Sequence, residues 1–589
     1  MDQKRLLLAI SISLAILVVF QVGIDRFLPH PPPRPAISAP AAGSTAAAPQ
    51  IAPGTNAAPG QAVGATAPGT PLQAAPKLNI DAPAVAGSIS LVGAKFDNLT
   101  LRYYHETISK TSPQVQLLSD GTGQKPYFVQ FGWSAAPGQN IAVPGPATLW
   151  TASAGTLTQD HPVTLSWNNG AGLVFQQIIS IDDKYMFTVR QAVVNNTGAA
   201  VTLFPWSRIE RDYLPPEPGT YIMHKGPLGV FKGTLKELNY ETVKNDGKRA
   251  GGTAYTETSD GGWIGITGKY WLTALIPPQT ASLTAAARYI ASPSAPDDGA
   301  YQVDFMAATP QSIAAGATGE SQTHLFAGAK IVKLLDSYST QYNIPSFDKA
   351  IDFGWFYFLT KPIFFALDGL NNILGNFGLA IIAFTFFAKL VLSPLAFISY
   401  SSMGKMKLVT PKVTAIRERL KDDPTKQQAE IMALYKAEKI NPAAGCLPML
   451  VQIPIFFSLY KVIFVTIEMR HAPFYGWIHD LSAVDPTNIF NLFGLIPFDP
   501  STISPFLHLG ILPIIMGGTM YLQQRLNPAP PDPVQAKMFQ FMPLIFTFML
   551  ARFPAGLVIY WTTNNILTVI QQWLIMRWAS KRSLQMART

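Results

Sequence analysis

Residues 381–399 read IIAFTFFAKLVLSPLAFIS, an apolar stretch with Lys389 near its centre. A membrane-spanning helix needs about 20 mostly apolar residues, and a lysine at its centre costs roughly 2.5–3.5 kcal/mol on insertion scales. Charged groups in spans usually face a bundle interior or a hydrated cavity. The stretch therefore predicts a membrane protein with a polar interior. The alternative, in which Lys389 snorkels to the interface, is disfavoured by its position midway along the span.

The composition agrees with several membrane spans joined to a water-exposed domain. Of 589 residues, 48% are hydrophobic and 13% are charged, and the formal net charge is +9. This is too apolar for an ordinary soluble protein and too polar for a compact transporter. Cys446 is the single cysteine, which excludes a disulfide within the chain and a cysteine-based metal site. The sequence predicts no cofactor and no metal.

The N-terminal residues predict a retained membrane anchor over 1–28. After MDQKR, an apolar run extends from Leu6 to Ile24. A cleaved signal peptide has a shorter apolar core followed by a small-x-small site, and no such site follows here, so cleavage is the less favoured alternative. Residues 29–76 are rich in Pro, Ala, Gly and Thr, which predicts a flexible linker.

Residues 77–345 have the texture of a large antiparallel β-sandwich. PVTLSW places Val163, Leu165 and Trp167 on one face, and YQVDFMA (301–307) alternates in the same way. Such period-2 runs between Gly, Pro, Asn and Asp turns are typical of sandwiches. The segment contains no HExxH, P-loop or GxSxG, so we predict a domain without catalysis. Binding of a sugar or peptide on one sheet is the alternative.

The remaining chain predicts one interfacial helix and five further spans. Residues 346–376 are aromatic and apolar but interrupted by Lys361, Pro362 and Asp368, which is typical of an amphipathic helix at a membrane surface. Together with the anchor, six spans are predicted, the later five over about 378–398, 443–467, 506–523, 539–553 and 557–576, with 539–553 short at about fifteen residues.

Basic residues predict the orientation of these spans. The loop 402–440 carries nine Lys or Arg, and the tail 581–589 adds more, whereas 470–505 has Arg470 alone against three aspartates. By the positive-inside rule, both termini and the loop are cytoplasmic, and residues 29–350 lie on the far side. The nine basic residues of the loop are Lys405, Lys407, Lys412, Arg417, Arg419, Lys421, Lys426, Lys436 and Lys439.

The loop 402–440 has a helical pattern of its own. Its apolar residues step by three and four, and DDP at 422–424 ends one helix and caps a second, which predicts an antiparallel hairpin that is basic outside its seam. The hairpin is either a solvated connector or a docking surface for an acidic partner such as ribosomal RNA. The seam residues are Met406, Val409, Val413, Ile416 and Leu420, facing Ile431, Leu434 and Tyr435.

Polar residues within the spans predict a hydrated cavity. Thr385, Lys389 and Ser393 are spaced at i, i+4 and i+8, Gln452 lies between two prolines, and residues 562–565 read TTNN. Polar side chains in hydrocarbon face one another or water, and irregular backbone at membrane depth is tolerated beside a cavity. Lys389 would supply the charge of this cavity.

Five motifs resemble the YidC family of membrane protein insertases. They follow the order and spacing of the family over most of 350–580, and the preceding anchor, linker and sandwich resemble its Gram-negative members, in which the sandwich is periplasmic. The motifs are FTFFAKLVLSPL (384–395), KVTAIRERLKDD (412–423), NPAAGCLPMLVQIPIFFSLY (441–460), WIHDLSAVDP (477–486) and FPAGLVIYW (553–561).

The resemblance implies a polytopic α-helical inner-membrane protein whose five-helix insertase core, 377–580, follows the periplasmic β-sandwich. It implies a hydrophilic groove, open to the cytoplasm and to lipid, that takes nascent membrane proteins and releases their helices into the bilayer, alone or with the Sec translocon. Lys389 would be the groove charge, Thr385 and Trp561 would contact substrate, and Gln452 and Asn565 would line the groove, with Tyr560 and Ser393 beside them.

The resemblance also implies that the hairpin recruits substrate, the ribosome or signal-recognition components. The residues expected to do so are Lys405, Lys407, Lys412, Arg417, Arg419 and Lys421.

The sequence departs from the family pattern at three places. Lys389 stands where arginine is usual, and since a buried lysine loses its proton more readily than arginine, a charged Lys389 implies a wet groove. Trp561 stands where tyrosine is common. The loop 487–505 is longer than usual and has no assigned role.

Two other functions fit parts of the pattern. Lys389 and Ser393 at i, i+4 could form a Ser–Lys pair for acyl transfer, although no oxyanion donors are visible. A transporter or channel could use the same polar cavity, although the internal repeats of many transporters are missing. The insertase interpretation is favoured over both.

Overall fold

The computed structural model describes residues 75–122, 125–215, 223–292, 299–438, 440–441, 447–504, 507–527 and 533–586. The predicted anchor, nearly all of the predicted linker and Cys446 lie outside these residues. The described chain begins as two β-sheets and continues as helices.

Two sheets form the first part of the fold. Within the described ranges, the first sheet contains β1 (Lys77–Asp81), β2 (Val85–Ser90), β3 (Lys95–His105), β4 (Gln114–Leu118), β5 (Tyr127–Ala135), β7 (Thr156–Leu157), β11 (Val201–Arg211), β14 (Thr253–Asp260), β17 (Ser282–Ala291), β18 (Gly299–Ala307) and β19 (Gln311–Ile313). The second contains β6 (Thr151–Ala152), β8 (Val163–Asn168), β9 (Leu173–Ile181), β10 (Met186–Asn195), β12 (Gly226–Phe231), β13 (Thr234–Glu237), β15 (Trp263–Thr267), β16 (Trp271–Ile276) and β20 (Thr318–Ala329).

The pairing is antiparallel apart from the parallel pair β1–β7. The first sheet has the order β14-β17-β18-β11-β5-β3-β2-β1-β7, with β19 on β11 and β4 on β3, and the second has β13-β12-β15-β16-β20-β10-β9-β8-β6. The predicted antiparallel β-rich domain is therefore present.

Alternation along the strands builds the core between the sheets. In β8, Val163 and Leu165 are buried and Trp167 packs on Phe175 of β9 with ring centroids 5.7 Å apart. β9 alternates along its whole length. The β18 strand differs from the predicted half-exposed pattern because its polar face is also buried, where Asp304 accepts hydrogen bonds from neighbouring side chains.

Helices make up most of the chain after β20. Besides α1 (Tyr240–Arg249) within the sandwich, they are α2 (Val332–Gln341), α3 (Tyr357–Leu374), α4 (Phe377–Val391), α5 (Ser393–Arg419), α6 (Pro424–Ala437), α7 (Leu447–Val465), α8 (Ile511–Leu526), α9 (Pro533–Leu550) and α10 (Ala555–Met586). Helix α10 is central and packs against α4, α5, α7 and α8. Helix α9, at 18 residues, is longer than the fifteen predicted.

The predicted single span 378–398 is wrong as one helix. It divides at Leu392 into α4 and α5, which are bent by 67°. The physical reason is Pro394, which lacks an amide N–H and occupies the first turn of α5, where that donor is not needed.

No described helix is by itself both long and apolar enough for a membrane span. Helices α4 and α5 meet that criterion as a bent pair, and shorter apolar helical segments cover Leu450–Val465 and Ala536–Leu550.

Helix α3 presents two different faces. Ile363, Phe364 and Leu367 are buried, whereas Phe358 and Ile373 are 74% and 81% exposed. Lys361 of α3 pairs with Asp336 of α2 and with Asp348, which lies between α2 and α3.

The helices α5 and α6 form a hairpin beyond the core. All the predicted seam residues except Leu420 belong to one apolar cluster, in which Val409, Val413, Ile431 and Tyr435 are buried. Asp423 caps α6, because its carboxylate accepts the amide hydrogen of Lys426 at 3.0 Å.

Polar contacts join the sandwich to the helical core. Lys461 of α7 donates to Asp352 at 2.8 Å. Just after α7, the Glu468 carboxylate accepts the amide hydrogen of Val332, the first residue of α2, at 3.0 Å. Arg470 donates to the carbonyl at the end of β3 at 2.6 Å. The β-sheet domain and the helical core therefore contact each other around the end of α7.

Candidate functional site

Lys389 is directed into the interface between α4 and α10. Its ammonium donates to the Thr568 hydroxyl at 2.8 Å, and that hydroxyl donates to the Asn564 carbonyl at 2.6 Å. Tyr400 of α5 contacts the same threonine. No carboxylate of the described residues pairs with Lys389. This position favours an interior role for the lysine over snorkelling.

Thr385 and Ser393 do not share this contact. Thr385 is buried, and its hydroxyl donates to the Ile381 carbonyl of its own helix at 2.6 Å. Ser393 begins α5 on the far side of the bend, so the predicted common face of Thr385, Lys389 and Ser393 on one helix is wrong. Ser393 instead lines an open pocket of about 310 Å³ between α5 and α10, together with Gln571.

Gln452 and Tyr560 connect α7 to α10. The Gln452 amide donates to the Tyr560 hydroxyl, and Tyr560 is buried. The adjacent Trp561 packs edge-on against Phe456 of α7, with ring centroids 4.6 Å apart, and lies 6.1 Å from the Phe546 ring of α9. These aromatic rings form an apolar wall beside the polar pair.

Asn565 continues the polar face of α10 towards α8. Its amide donates to the Thr519 hydroxyl at 3.2 Å, and Gln572 donates to Asn527 at 3.1 Å. Asn565, Thr568 and Gln572 recur at i, i+3 and i+7 and are all buried, so they occupy one face of α10. The sequence interpretation missed Thr568 and Gln572, although the same spacing beyond Asn565 was a usable signal.

The predicted groove residues therefore lie on four helices, and those that contact α10 do so at different levels along it. Tyr560 and Thr568 are eight residues apart, which is about 12 Å along α10. Gln452, Tyr560 and Trp561 lie at one level of the core, and Asn565 and Lys389 lie at the next. Lys389 of α4 reaches the face of α10 that carries Asn565 through its hydrogen bond to Thr568, whereas Thr385 and Ser393 make no hydrogen bond to that face within the described part of the chain.

Several buried polar atoms in the core have no partner among the described residues. They are Ser399 Oγ on α5, Ser458 Oγ on α7 and Gln572 Oε1 on α10. Leaving a buried polar atom unpaired costs roughly 1–3 kcal/mol, and buried polar sites commonly hold water. Since α5 and α7 both pack on α10, these atoms add hydrogen-bonding capacity that the chain itself does not use.

The arrangement offers hydrogen bonds and one positive charge, and it lacks the contacts of a nucleophilic site. Lys389 binds Thr568, and the helix break removes Ser393 from its predicted i, i+4 relation, so the Ser–Lys alternative loses its geometric basis. The described residues contain no group of three or more His, Cys, Asp or Glu side chains suited to a metal ion.

The hairpin carries most of its basic residues on the outside of the seam. Lys412 pairs with Glu438 at 2.7 Å, and Arg419 pairs with Glu430. These two cations are thereby partly neutralised. The hairpin's other predicted recruiting residues are Lys405, Lys407, Arg417 and Lys421.

Together, the fold and the site define a class of protein: a large β-sandwich domain joined to an apolar helical core with a buried polar face and a basic helical hairpin. The family model described as the YidC periplasmic domain matches residues 77–366, and that described as the 60Kd inner membrane protein matches residues 369–582.

Relatives match along nearly the whole chain. A membrane protein insertase YidC from Acidiphilium cryptum is 61% identical, over 98% of this chain and 97% of its own length. One from Granulibacter bethesdensis is 57% identical, over 98% of each. A crystal structure of an active YidC insertase with its first transmembrane domain resolved has a TM-score of 0.34 and 17% identity, covering 85% of this chain and 92% of that one.

The chain belongs to the YidC family of membrane protein insertases. The family is one of inner-membrane proteins of Gram-negative bacteria, and the β-rich domain is its periplasmic domain. Its members are not enzymes, and the transporter alternative has no support.

Proposed function

We propose that this chain receives short polar segments of nascent membrane proteins along the polar face of α10 and releases their apolar helices into lipid. The observation that carries the proposal is the buried contact between Lys389 and Thr568, which places a cation inside the core without a carboxylate partner. An interior cation of this kind attracts the acidic and polar groups that a translocated segment carries.

The mechanism follows from the cost of moving polar groups through hydrocarbon. Each amide or hydroxyl that enters hydrocarbon without a hydrogen-bond partner costs roughly 2–7 kcal/mol. The unpartnered atoms of Ser399, Ser458 and Gln572, together with bound water, would replace the hydration of the segment for part of the distance. The aromatic wall at Trp561 would then support the apolar helix while it enters lipid, where its own burial drives the remaining movement.

The topology that fits this mechanism has six spans, comprising the predicted anchor and five in 377–580. Both termini and the hairpin would be cytoplasmic, and residues 29–350 would be periplasmic. The distribution of basic residues supports this orientation. The Sec translocon would be a partner in the membrane, and the ribosome or signal-recognition components would bind the hairpin, whose exposed cations suit acidic surfaces.

The proposal is tested by depleting the native protein and following the insertion of a small, Sec-independent membrane protein through protease access to its translocated tail. Lys389→Arg retains the charge and should rescue insertion, whereas Lys389→Ala should reduce it about ten- to a hundredfold, as expected for losing a charged contact worth roughly 1.5–3 kcal/mol. Ser393→Ala is the matched control in the neighbouring helix and should rescue fully.

The opposite rescue pattern would contradict the proposed role of Lys389 in the groove. If Ser393→Ala abolishes insertion and Lys389→Arg fails together with Lys389→Ala, a positive charge at Lys389 is not the working feature. If depletion leaves every tested substrate inserted, the insertase function of this chain is itself refuted.

A further inference from the structure

The long connection between α7 and α8 exposes a concentrated apolar surface. Residues 487–498 contain no charged side chain, and exposed apolar patches of this kind mark contact with another apolar phase or molecule. The exposed residues are Phe490, Leu492, Phe493, Leu495, Ile496 and Phe498, each 42–83% exposed. We name residues 489–498 the apolar loop.

The backbone of the apolar loop turns sharply to present these side chains. Leu492 and Phe493 have φ of 51° and 60°, followed by Gly494 at 92°. Bulky residues rarely adopt the left-handed region, and such backbone persists where the surroundings impose it. The turn is therefore held in place rather than collapsed over its own apolar side chains.

Most backbone donors of the loop bond acceptors in the loop itself or in the flanking Asn488. The Asn488 side chain accepts the amide hydrogen of Phe490 at 3.1 Å, and the Asn491 side chain accepts that of Gly494 at 3.0 Å. The Asn488 carbonyl accepts the amide hydrogen of Phe493, and carbonyl groups within the loop accept those of Leu495, Ile496 and Phe498. Pro497 has no amide hydrogen to satisfy. Internal pairing of this kind lowers the cost of placing an irregular segment in lipid.

The base of the loop is fixed to the helical core. The buried Asn488 donates to the Leu507 carbonyl at 2.8 Å, and the buried Asp485 accepts from the indole of Trp477 at 3.1 Å and from the amide of Leu512 in α8 at 2.8 Å. Trp477 is 39% exposed, and tryptophan is enriched at membrane–water interfaces. The attachment therefore places the loop next to an interfacial residue.

The start of α8 exposes apolar side chains as well. Ile514 and Ile515, in the first turns of that helix, are 39% and 45% exposed. In a family of inner-membrane proteins, such a surface on a core helix faces lipid. Exposed apolar side chains thus occur both on the loop and on the first turns of α8, to which Asp485 ties the base of the loop.

We infer that the apolar loop is a wedge that embeds in the outer leaflet of the bilayer beside α7 and α8. The partner is the acyl-chain region of the membrane itself. The inference rests on the proposed topology, which puts this connection on the periplasmic side, and it assigns a role to a segment that the groove mechanism does not use. The wedge fixes the outer ends of α7 and α8 relative to the membrane.

Because the chain has one native cysteine, a single substitution gives a cysteine-free background for site-specific labelling. In a Cys446→Ser chain, Leu495→Cys is labelled with a small fluorophore, and the full chain is placed in lipid nanodiscs. Quenching by lipids with brominated acyl chains is compared with quenching by aqueous iodide. Phe387→Cys, on an exposed part of α4, is the lipid control, and Gln159→Cys, on the exposed surface of the sandwich, is the water control. Ile496→Cys repeats the measurement if Leu495→Cys does not fold.

The wedge predicts that brominated lipid lowers fluorescence about twofold for labels at positions 495 and 387 and leaves the label at position 159 unchanged. Iodide should quench the label at position 159 and leave the other two unchanged. Quenching of Leu495 by iodide alone, with Phe387 still quenched by lipid, overturns the wedge but not the membrane core. Protection from both quenchers also overturns it, because protein would then cover the loop. Failure of brominated lipid at Phe387 overturns the membrane placement and the wedge together.

Discussion

A single hydroxyl, that of Thr568, holds the Lys389 ammonium inside the helical core. The hydroxyl is in turn bonded to the Asn564 carbonyl, so its orientation is set by α10. The lysine could be predicted from sequence because a charge within an apolar run is conspicuous. The spacing of Thr568 beyond Asn565 could have placed it on the polar face of α10, but its pairing with Lys389 becomes evident only once the facing helix is known.

Thr568 is therefore expected to position Lys389 rather than to bind substrate. Thr568→Val keeps the shape and removes the acceptor, and it should lower insertion in the depletion assay about tenfold or more, because a hydrogen bond to a charged group contributes roughly 1.5–3 kcal/mol. Thr568→Ser should behave as the wild type. Normal insertion by the valine variant, in an assay where Lys389→Ala fails, would remove Thr568 from the mechanism.

At the scale of elements, the sequence predicted which helices form better than it predicted where a helix breaks. The hairpin seam was readable because Val409, Val413 and their partners repeat at helical spacing. The break between α4 and α5 was missed because the apolar run continues across it, although Pro394 marks a helix start. Contacts between distant elements, such as Glu468 with the first turn of α2, carry no local sequence pattern at all.

The Glu468 contact predicts a pH-dependent stability. Burial raises the pKa of this carboxyl to about 7, so folding disfavours the ionised form, and stability falls as pH rises from about 4.5 to about 7. Glu468→Gln retains an acceptor for the Val332 amide and carries no charge. The variant should match the wild type near pH 4.5 and exceed it in stability at pH 8 by about 3 kcal/mol.

Thermal unfolding of both proteins in detergent across this pH range measures the effect. The melting-temperature difference should grow through pH 5–7 and then level off. A difference that is the same at every pH would mean that the carboxyl does not titrate in the folded protein as its burial requires.

The hairpin cations predict salt-sensitive ribosome binding. Lys407→Glu combined with Lys421→Glu should weaken binding to ribosomes about tenfold at low salt, and the difference should shrink as salt rises. The matched control exchanges the pair Arg419–Glu430 as Arg419→Glu with Glu430→Arg, which leaves the net charge unchanged. Sedimentation with purified ribosomes gives the affinities. Equal weakening by both double variants would indicate lost structure rather than lost charge.

At the scale of the whole molecule, the sandwich and the helical core meet around the end of α7. Lys461, Glu468 and Arg470 all bind residues that lie far away in the chain. The class of each part was predictable, because period-2 strands and long apolar runs are local patterns. The interface between the parts was not, because it depends on side chains separated by more than a hundred residues.

The central claim is that nascent chains pass along the polar face of α10, and site-specific photo-crosslinking tests it most directly. A photoreactive phenylalanine analogue replaces Trp561, which lies between α7 and α9. In a second protein it replaces Trp573, which is 48% exposed on the same helix. Each is irradiated with ribosome-bound nascent chains of a small membrane protein. The account predicts crosslinks from position 561 and few from position 573. Crosslinks from 573 with none from 561 would contradict it.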